Sequence, residues 1–208
     1  MDDNLNKKKI GIITFHNSYN CGSMLQAYAL QQIVDRLTER ESEIVDFSNE
    51  GQQKLYSVRQ PNNSVKNLIK NIILAPRFDR ISRNYVSYEK FKKQNFRLSD
   101  PPTHKLCELS DVDYDIVIAG SDQIWNITIE DSDDAYFLPW VKNARKVAYA
   151  PSFGAKDIAK FADDPQRYAE YLRSFYALSI RERNGLEWLR NLTGRDAELL
   201  LDPTLLLK

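Results

Sequence analysis

KIGIITFHNSYNCGSMLQAYALQQIV, residues 9–34, joins an apolar run to a helical pattern through a turn of small polar residues. Lys9 to Phe15 predicts a buried strand, because the run is β-branched and nearly continuous. From Ser23 onward, apolar residues recur on one helix face at Leu30, Ile33, Val34 and Leu37. Glu43 to Phe47 is a second predicted strand. A strand, helix and strand with this crossover length predict a parallel, right-handed βαβ unit.

The rest of the chain continues this alternation. Further strands are predicted at Asp115–Ala119, Lys146–Ala150, Ala177–Ile180 and Leu199–Leu201. Helices are predicted at Val65–Leu74, Phe78–Phe96, Pro165–Tyr176 and Gly185–Leu192, with Pro76 separating the first two. Alternating strands and helices over this length predict the α/β class. We therefore expect one doubly wound, mostly parallel, Rossmann-like sheet within residues 1–202.

Composition narrows the classes of function. The 29 basic and 29 acidic residues cancel, so no bulk attraction to nucleic acid or anionic membrane is expected. No apolar run approaches the roughly 18–20 residues of a membrane span, and Met1 to Lys9 lacks the apolar core of a signal peptide. The 2 cysteines are too few for a disulfide scaffold or a thiolate zinc site. These features predict a reduced, cytoplasmic protein.

Polar turns follow several of the predicted strands. The first strand leads into HNSYNCGS, the third into GSDQIWN, the fourth into PSFG and the fifth into RERNG. Ligands of open parallel sheets bind beyond the carboxyl ends of the strands. One such turn is ordinary, since Gly and Ser also cap helices, but four in succession predict a ligand crevice along this edge.

The first of these turns has both a ligand-binding and a structural interpretation. Asn20, Gly22 and Ser23 precede a helix whose unpaired N–H groups and dipole favour an anion. Gly22 allows close backbone approach, while Asn20 or Ser23 could simply cap the helix. His16 could donate to a phosphate or act as an acid, or could make a structural hydrogen bond. Cys21 could have a lowered pKa near the helix N-terminus, although no Cys–His–Asn arrangement is identifiable.

Later turns supply further candidates for catalysis and binding. Asp122 could take a proton from a sugar hydroxyl or cap the next turn. Trp125 offers a flat face to a sugar ring, or packs in the core. Arg181, next to Glu182, presents a fork suited to carboxylate and phosphate. The structural alternative for this last pair is a salt bridge at the rim of the sheet.

A basic stretch with interleaved aromatics, RNYVSYEKFKKQNFRL, occupies residues 83–98. Such a pattern could bind single-stranded nucleic acid by stacking. An amphipathic surface helix with its aromatics toward the core is the commoner cause of this spacing, and the neutral charge of the chain favours it.

Together these segments resemble the polysaccharide pyruvyl transferase family. The resemblance is carried, in order, by NCGSMLQAYAL, YDIVIAGSDQIWN, YAPSFG, SIRE and LDPTLLL, which run from Asn20 to Leu207. It implies an enzyme that transfers enolpyruvyl from phosphoenolpyruvate to a pair of hydroxyls on a saccharide or lipid-linked saccharide, forming a pyruvate ketal. Phosphoenolpyruvate is then the donor substrate, and no cofactor or metal is expected.

On this interpretation the sequence assigns roles to particular residues. The predicted catalytic residues are Asp122, Arg181 and Glu182. The predicted substrate-binding residues are His16, Asn17, Asn20, Gly22, Ser23, Gly120, Ser121, Gln123, Trp125, Ser152 and Phe153.

The resemblance also implies a two-domain architecture like that of GT-B glycosyltransferases. This chain matches the first half of such an enzyme, and residues 203–208 are expected to begin a hinge to a missing second domain. In the family, that second half contributes basic residues that hold phosphoenolpyruvate.

Two other functions stay open at this stage. One is a nucleotide-sugar-dependent glycosyltransferase of similar architecture. The other is a non-catalytic α/β domain that binds a partner through the basic aromatic helix, Arg83–Arg97.

Overall fold

The computed structural model describes residues 8–58, 69, 71–72 and 75–207, and its centre is a parallel four-stranded sheet. The strands are β1 (Lys9–Ile13), β2 (Ser42–Ile44), β3 (Tyr114–Gly120) and β4 (Arg145–Tyr149). Their order is β2-β1-β3-β4, and every pairing is parallel. The predicted α/β class with a mostly parallel, Rossmann-like sheet is therefore confirmed.

Helices on one side of the sheet come from the first half of the chain. They are α1 (Cys21–Thr38) and, after the short α2 (Glu50–Tyr56) that follows β2, α3 (Phe78–Asn95). Ile10 and Ile12 of β1 point toward α1, where they form one core cluster with Met24 and Leu30. Because side chains alternate along a strand, Ile13 belongs to the core on the opposite face.

The opposite face is covered by helices from the second half. These are α4 (Ile158–Phe161), α5 (Pro165–Arg173) and α6 (Arg183–Thr193). Leu172 of α5 and Leu189 of α6 are fully buried in the core that this layer forms. Short 3₁₀ helices lie at Ala75–Arg77, Leu106–Glu108, Asp134–Phe137 and Pro203–Leu206. Helices thus flank the sheet on both faces, as the sequence predicts.

The fifth and sixth strands differ from the single sheet that was expected. β5 (Ser179–Ile180) and β6 (Glu198–Leu199) form a parallel pair of their own. An isolated bridge between Val147 and Ala177 joins the segment before β5 to β4. Beyond the bridge, the Ser179 hydroxyl accepts from the Ala150 amide at 2.8 Å and donates to the Ala148 carbonyl at 2.7 Å. A side chain therefore takes the place of ladder hydrogen bonds at this junction.

The basic aromatic stretch of residues 83–98 lies largely in α3, and some of its aromatic side chains point toward the core. The predicted Phe78–Phe96 helix is confirmed as α3, while most of the predicted Val65–Leu74 helix lies outside the described residues. Tyr88 and Phe91 pack against the core cluster beneath α1. This packing supports the amphipathic interpretation of the stretch. Across the described ranges, no helix is long and apolar enough to cross a membrane.

Candidate active site

The loop that follows β3 projects a carboxylate at the carboxyl edge of the sheet. Gly120 has φ +139, and a Cβ there would overlap the Tyr149 carbonyl, so only glycine fits this position. Asp122 has φ 66, a left-handed conformation that Asp and Asn tolerate better than most residues. Its carbonyl accepts from the Ser152 amide at 2.8 Å, which ties the loop after β3 to the loop after β4. These backbone contacts therefore fix the position from which the Asp122 side chain projects.

The N-terminus of α1 holds that carboxylate in place. Asn20 is the N-cap residue, and its Oδ1 accepts from the Ser23 amide at 2.8 Å. The Ser23 hydroxyl donates to Asp122 Oδ2 at 2.6 Å, while Asp122 Oδ1 accepts from the Gln123 amide at 2.8 Å. Gly22 is exposed in the first turn of α1. Two predicted strand-end turns, after β1 and after β3, therefore meet at Asp122.

A cavity of about 370 Å³, here named the Asp122 cavity, opens at this meeting point. Its wall includes Asn20, Ser23, Asp122, Gln123, Glu130 and Asp131. No lysine or arginine of the described chain lines it. Burial, together with the charges of Asp122 and Glu130, raises the pKa of Asp131 above its usual value. The cavity is therefore acidic and rich in hydrogen-bond acceptors.

Three of the predicted binding residues support the loops after β3 and β4 from the interior: Ser121, Ser152 and Phe153. Ser121 is fully buried, where its amide donates to Gln26 Oε1 and its hydroxyl to the Ala150 carbonyl. Ser152 is buried, and its hydroxyl accepts from the Gly154 amide at 2.9 Å. Phe153 is buried and lies 5.4 Å from Trp125 between ring centroids. All three brace the loops from inside.

Trp125 also belongs to the core. Its indole is 0% exposed, stacks on Phe137 at 5.7 Å and donates from Nε1 to the Tyr136 carbonyl at 3.1 Å. These contacts fit the second role proposed for Trp125, packing in the core. Protein groups surround the indole and leave no face open to a sugar ring.

His16 and Asn17 face a different part of the edge. The His16 ring is fully buried, with Nε2 2.9 Å from Asp46 Oδ1, and Asn17 Nδ2 donates to the same oxygen at 3.1 Å. Burial opposes ionisation of Asp46, but His16, Lys92 and Asn17 outweigh it and lower the pKa of this carboxyl. Asp46 was not among the predicted residues. The predicted strand, Glu43 to Phe47, includes Asp46, whereas β2 ends at Ile44, so the strand-end rule would have found this residue only with the observed strand bounds.

Arg181 and Glu182 lie away from the Asp122 cavity and line no part of its wall. Arg181 Nη1 is 2.9 Å from Asp202 Oδ2, and its Nε is 3.5 Å from Glu182 Oε1. The sequence anticipated the pairing with Glu182 but missed Asp202, which caps the last 3₁₀ helix. Of the predicted site residues, the structure brings together Asn20, Ser23, Asp122 and Gln123 on the wall of the Asp122 cavity.

Two other reactive groups were considered in the sequence. Cys21 is exposed, and its Sγ lies 3.4 Å from the Tyr88 hydroxyl, with no histidine among its described hydrogen-bond partners. In the part of the chain that the structure describes, no group of three or more His, Cys, Asp or Glu side chains could hold a metal ion.

The chain is therefore an α/β protein with a Rossmann-like parallel sheet, and an acidic cavity lies at the carboxyl edge of that sheet. Within that class, a family model described as polysaccharide pyruvyl transferase matches residues 20–208. The chain belongs to this family. No match was found among curated proteins or among solved structures.

Proposed function

We propose that this chain provides the acceptor site of an enzyme that transfers enolpyruvyl from phosphoenolpyruvate to two hydroxyls of a saccharide. The products are a pyruvate ketal and inorganic phosphate. The observation that carries the proposal is the Asp122 carboxylate, held by Ser23 on the wall of an acidic cavity. Membership of the pyruvyl transferase family supports the same chemistry.

The lining of the Asp122 cavity favours a saccharide over phosphoenolpyruvate as its occupant. Sugar hydroxyls donate hydrogen bonds to carboxylates, and the wall carries Asp122, Glu130 and Asp131. Phosphoenolpyruvate carries a carboxylate and a phosphate, which these charges repel. We therefore assign this cavity to the acceptor. From the family resemblance, we propose that the basic residues that hold the donor lie in a second, GT-B-like domain joined through residues 203–208.

Asp122 is suited to receive the proton of the attacking hydroxyl. A carboxylate offers about four acceptor positions, and the contacts from Ser23 and Gln123 use two of them. The sugar oxygen adds to C2 of the enolpyruvyl group as Asp122 takes the hydroxyl proton, and C3 gains a proton from water to become a methyl group. The second hydroxyl oxygen then displaces phosphate from C2, which closes the ketal, and its proton leaves with the phosphate. Asp122 returns its own proton to water.

The test uses the full-length protein with phosphoenolpyruvate and a panel of mono- and oligosaccharides. Phosphorus NMR follows the release of inorganic phosphate, and mass spectrometry detects the pyruvate ketal. We expect both signals to require the saccharide. Sugar transfer from a UDP-sugar, with phosphoenolpyruvate left intact, would instead identify a nucleotide-sugar glycosyltransferase. Loss of biological role on alanine substitution in Arg83–Arg97, but not at Asp122, would indicate a partner-binding domain.

A further inference from the structure

A second and larger cavity lies between α2 and α3. Its volume is about 610 Å³, within the range of small-molecule sites. We name it the tyrosine cavity, after Tyr19, Tyr56 and Tyr85 in its wall. The Tyr19 ring lies 4.9 Å from Tyr85 and 5.9 Å from Tyr56, both edge to face. Tyr19 thus contacts two other aromatic rings in the wall of one cavity.

The tyrosine cavity adjoins the Asp122 cavity. Tyr56 lines both, so it forms part of the boundary between them. Ser18 lines the Asp122 cavity, and its hydroxyl accepts at 3.1 Å from Nε2 of Gln52, which lines the tyrosine cavity. The two cavities therefore share part of their wall.

Gln52 presents an unused hydrogen-bond acceptor at this site. The residue is 1% exposed, and its Oε1 is buried without a hydrogen-bond partner in the described part of the chain. Buried polar atoms are nearly always paired, so a group that donates to Oε1 is missing. The hydrogen bond to Ser18 orients the amide with its nitrogen engaged and its oxygen free. The missing partner is a donor, such as a hydroxyl.

The charges of the tyrosine cavity disfavour an anionic ligand. Two carboxylates, Asp46 and Glu89, line it together with one lysine, Lys92. Lys92 is already paired with Glu89 at 2.8 Å and donates to Asn17 at 2.8 Å. Tyr19 donates to the same carboxylate oxygen, Glu89 Oε1, at 2.6 Å. A neutral polyol fits these groups better than a phosphate.

From these observations we infer that the tyrosine cavity is a second saccharide subsite, which binds sugar units of the acceptor beyond the one that receives the pyruvate. The inference rests on the proposed function, because it treats the Asp122 cavity as the site of transfer. Tyrosine rings pack against the apolar face of a sugar ring, while Gln52 and the carboxylates accept from its hydroxyls. The protein would then prefer an oligosaccharide to a single sugar.

The experiment measures binding by calorimetry, without phosphoenolpyruvate, for the full-length protein. The probes are saccharides of one to four units made of glucose, galactose or N-acetylglucosamine. We expect the best tetrasaccharide to bind about tenfold more tightly than its monosaccharide, as the gain from aromatic contacts implies. Tyr85→Ala should abolish this preference while leaving monosaccharide binding unchanged. Tyr85 is 36% exposed at the rim, so the variant should fold.

Two further variants sharpen the result. Gln52→Leu removes the free acceptor and should also reduce tetrasaccharide affinity, provided that circular dichroism shows a folded protein. Tyr176→Ala removes a tyrosine that is 69% exposed and lines neither cavity, so it should change nothing. Equal affinity for one and four units, a preference that survives Tyr85→Ala, or no saccharide binding would each overturn the inference.

The two proposals fail in different ways. If pyruvyl transfer to a monosaccharide proceeds but chain length has no effect, only the subsite is lost. If length-dependent binding depends on Tyr85 but no saccharide accepts pyruvate, the subsite stands and the proposed reaction falls.

Discussion

The loops after β3 and β5 each place a charged, half-buried side chain near the carboxyl edge, yet their surroundings differ. Asp122 has uncharged hydrogen-bond donors and, among the described residues, no ion-pair partner. Arg181 has two carboxylates beside it, Asp202 and Glu182. The first charge borders a cavity, while the second is already neutralised. A charge at this edge therefore indicates a ligand-binding group only where the protein has left it unpaired.

The largest expected effect concerns the backbone that builds the β3 loop. Gly120→Ala should lower the free energy of unfolding by about 4 kcal/mol or more, because the methyl group overlaps the Tyr149 carbonyl at a φ that favours glycine. Urea denaturation monitored by circular dichroism measures the loss. Gly194→Ala is the control, since Gly194 has φ +74 but open space around it. It should cost only about 1 kcal/mol. Equal losses would show that crowding at Gly120 is unimportant.

Replacing the Asp122 carboxylate tests whether this unpaired charge acts as the general base. Asp122→Asn keeps the shape of the side chain and tolerates the same positive φ. It should lower kcat for pyruvyl transfer by about 10²–10⁴-fold, the usual contribution of a general base. The melting temperature should change little. The exposed Asp163 offers a matched control, and Asp163→Asn should leave kcat unchanged. A fully active Asp122→Asn enzyme would exclude Asp122 as the base.

Ser23 should matter because it positions Asp122. Ser23→Ala removes the 2.6 Å hydrogen bond but keeps the Asn20 cap, which uses the Ser23 amide. We expect kcat to fall about tenfold with KM for the saccharide nearly unchanged, since a hydrogen bond to a charged group contributes about 1.5–3 kcal/mol. Ser23→Thr should restore part of the activity. Ser87→Ala on α3 is a neutral control.

The framework of the fold was predictable because local signals there agree with tertiary structure. The β-branched run before Thr14 and the helical spacing after Ser23 identify β1 and α1. Leu30, Ile33 and Val34 are buried as the periodicity requires, whereas Leu37, in the last turn of α1, is 75% exposed. The junction at Ser179 was not predictable, because a serine hydroxyl that substitutes for ladder hydrogen bonds has no signature in a single sequence.

The sequence predicted where the site lies but not which residues line it. The strand-end rule brought Asn20, Ser23 and Asp122 to one edge, as the structure shows. The same rule could not distinguish a side chain on a cavity wall from one beneath it, and Trp125 is of the second kind. Asp202 escaped prediction because its partner is distant in sequence, and long-range pairing leaves no local pattern.

The acidity of the Asp122 cavity predicts a pH effect on stability. Burial and the charges of Asp122 and Glu130 raise the folded pKa of Asp131, so its ionised form destabilises the fold. Below about pH 4 the carboxyl is neutral in both states and Asp131→Asn should change little. Between the unfolded and the folded pKa, stability of the wild type falls as pH rises. Asp131→Asn should therefore have a higher free energy of unfolding than the wild type at pH 7, and urea denaturation at pH 4 and pH 7 measures the difference. A variant that is less stable at pH 7 would show that the carboxylate is well accommodated.

The smallest expected effect lies in the β5 loop. The sequence favoured Arg181 as an anchor for phosphoenolpyruvate, whereas its two carboxylate partners favour an ion pair that holds the segment before the last 3₁₀ helix. Arg181→Lys keeps the charge but loses the planar fork. If the ion pair is the main role, lysine still reaches Asp202, and the free energy of unfolding should change by less than about 1 kcal/mol, as for other part-exposed pairs.

Steady-state kinetics with phosphoenolpyruvate varied decide between these two roles. For an ion pair alone, Arg181→Lys should leave KM for phosphoenolpyruvate within about twofold of the wild type, because no contact to the donor is lost. Asp202→Asn should then lower the melting temperature and also spare KM. If Arg181 instead holds the donor, the lost bidentate contact should raise KM at least about tenfold, since charge-assisted hydrogen bonds contribute about 1.5–3 kcal/mol. That outcome would make the loops after β3 and β5 two halves of one site, with Asp202 holding the anchor until the donor arrives.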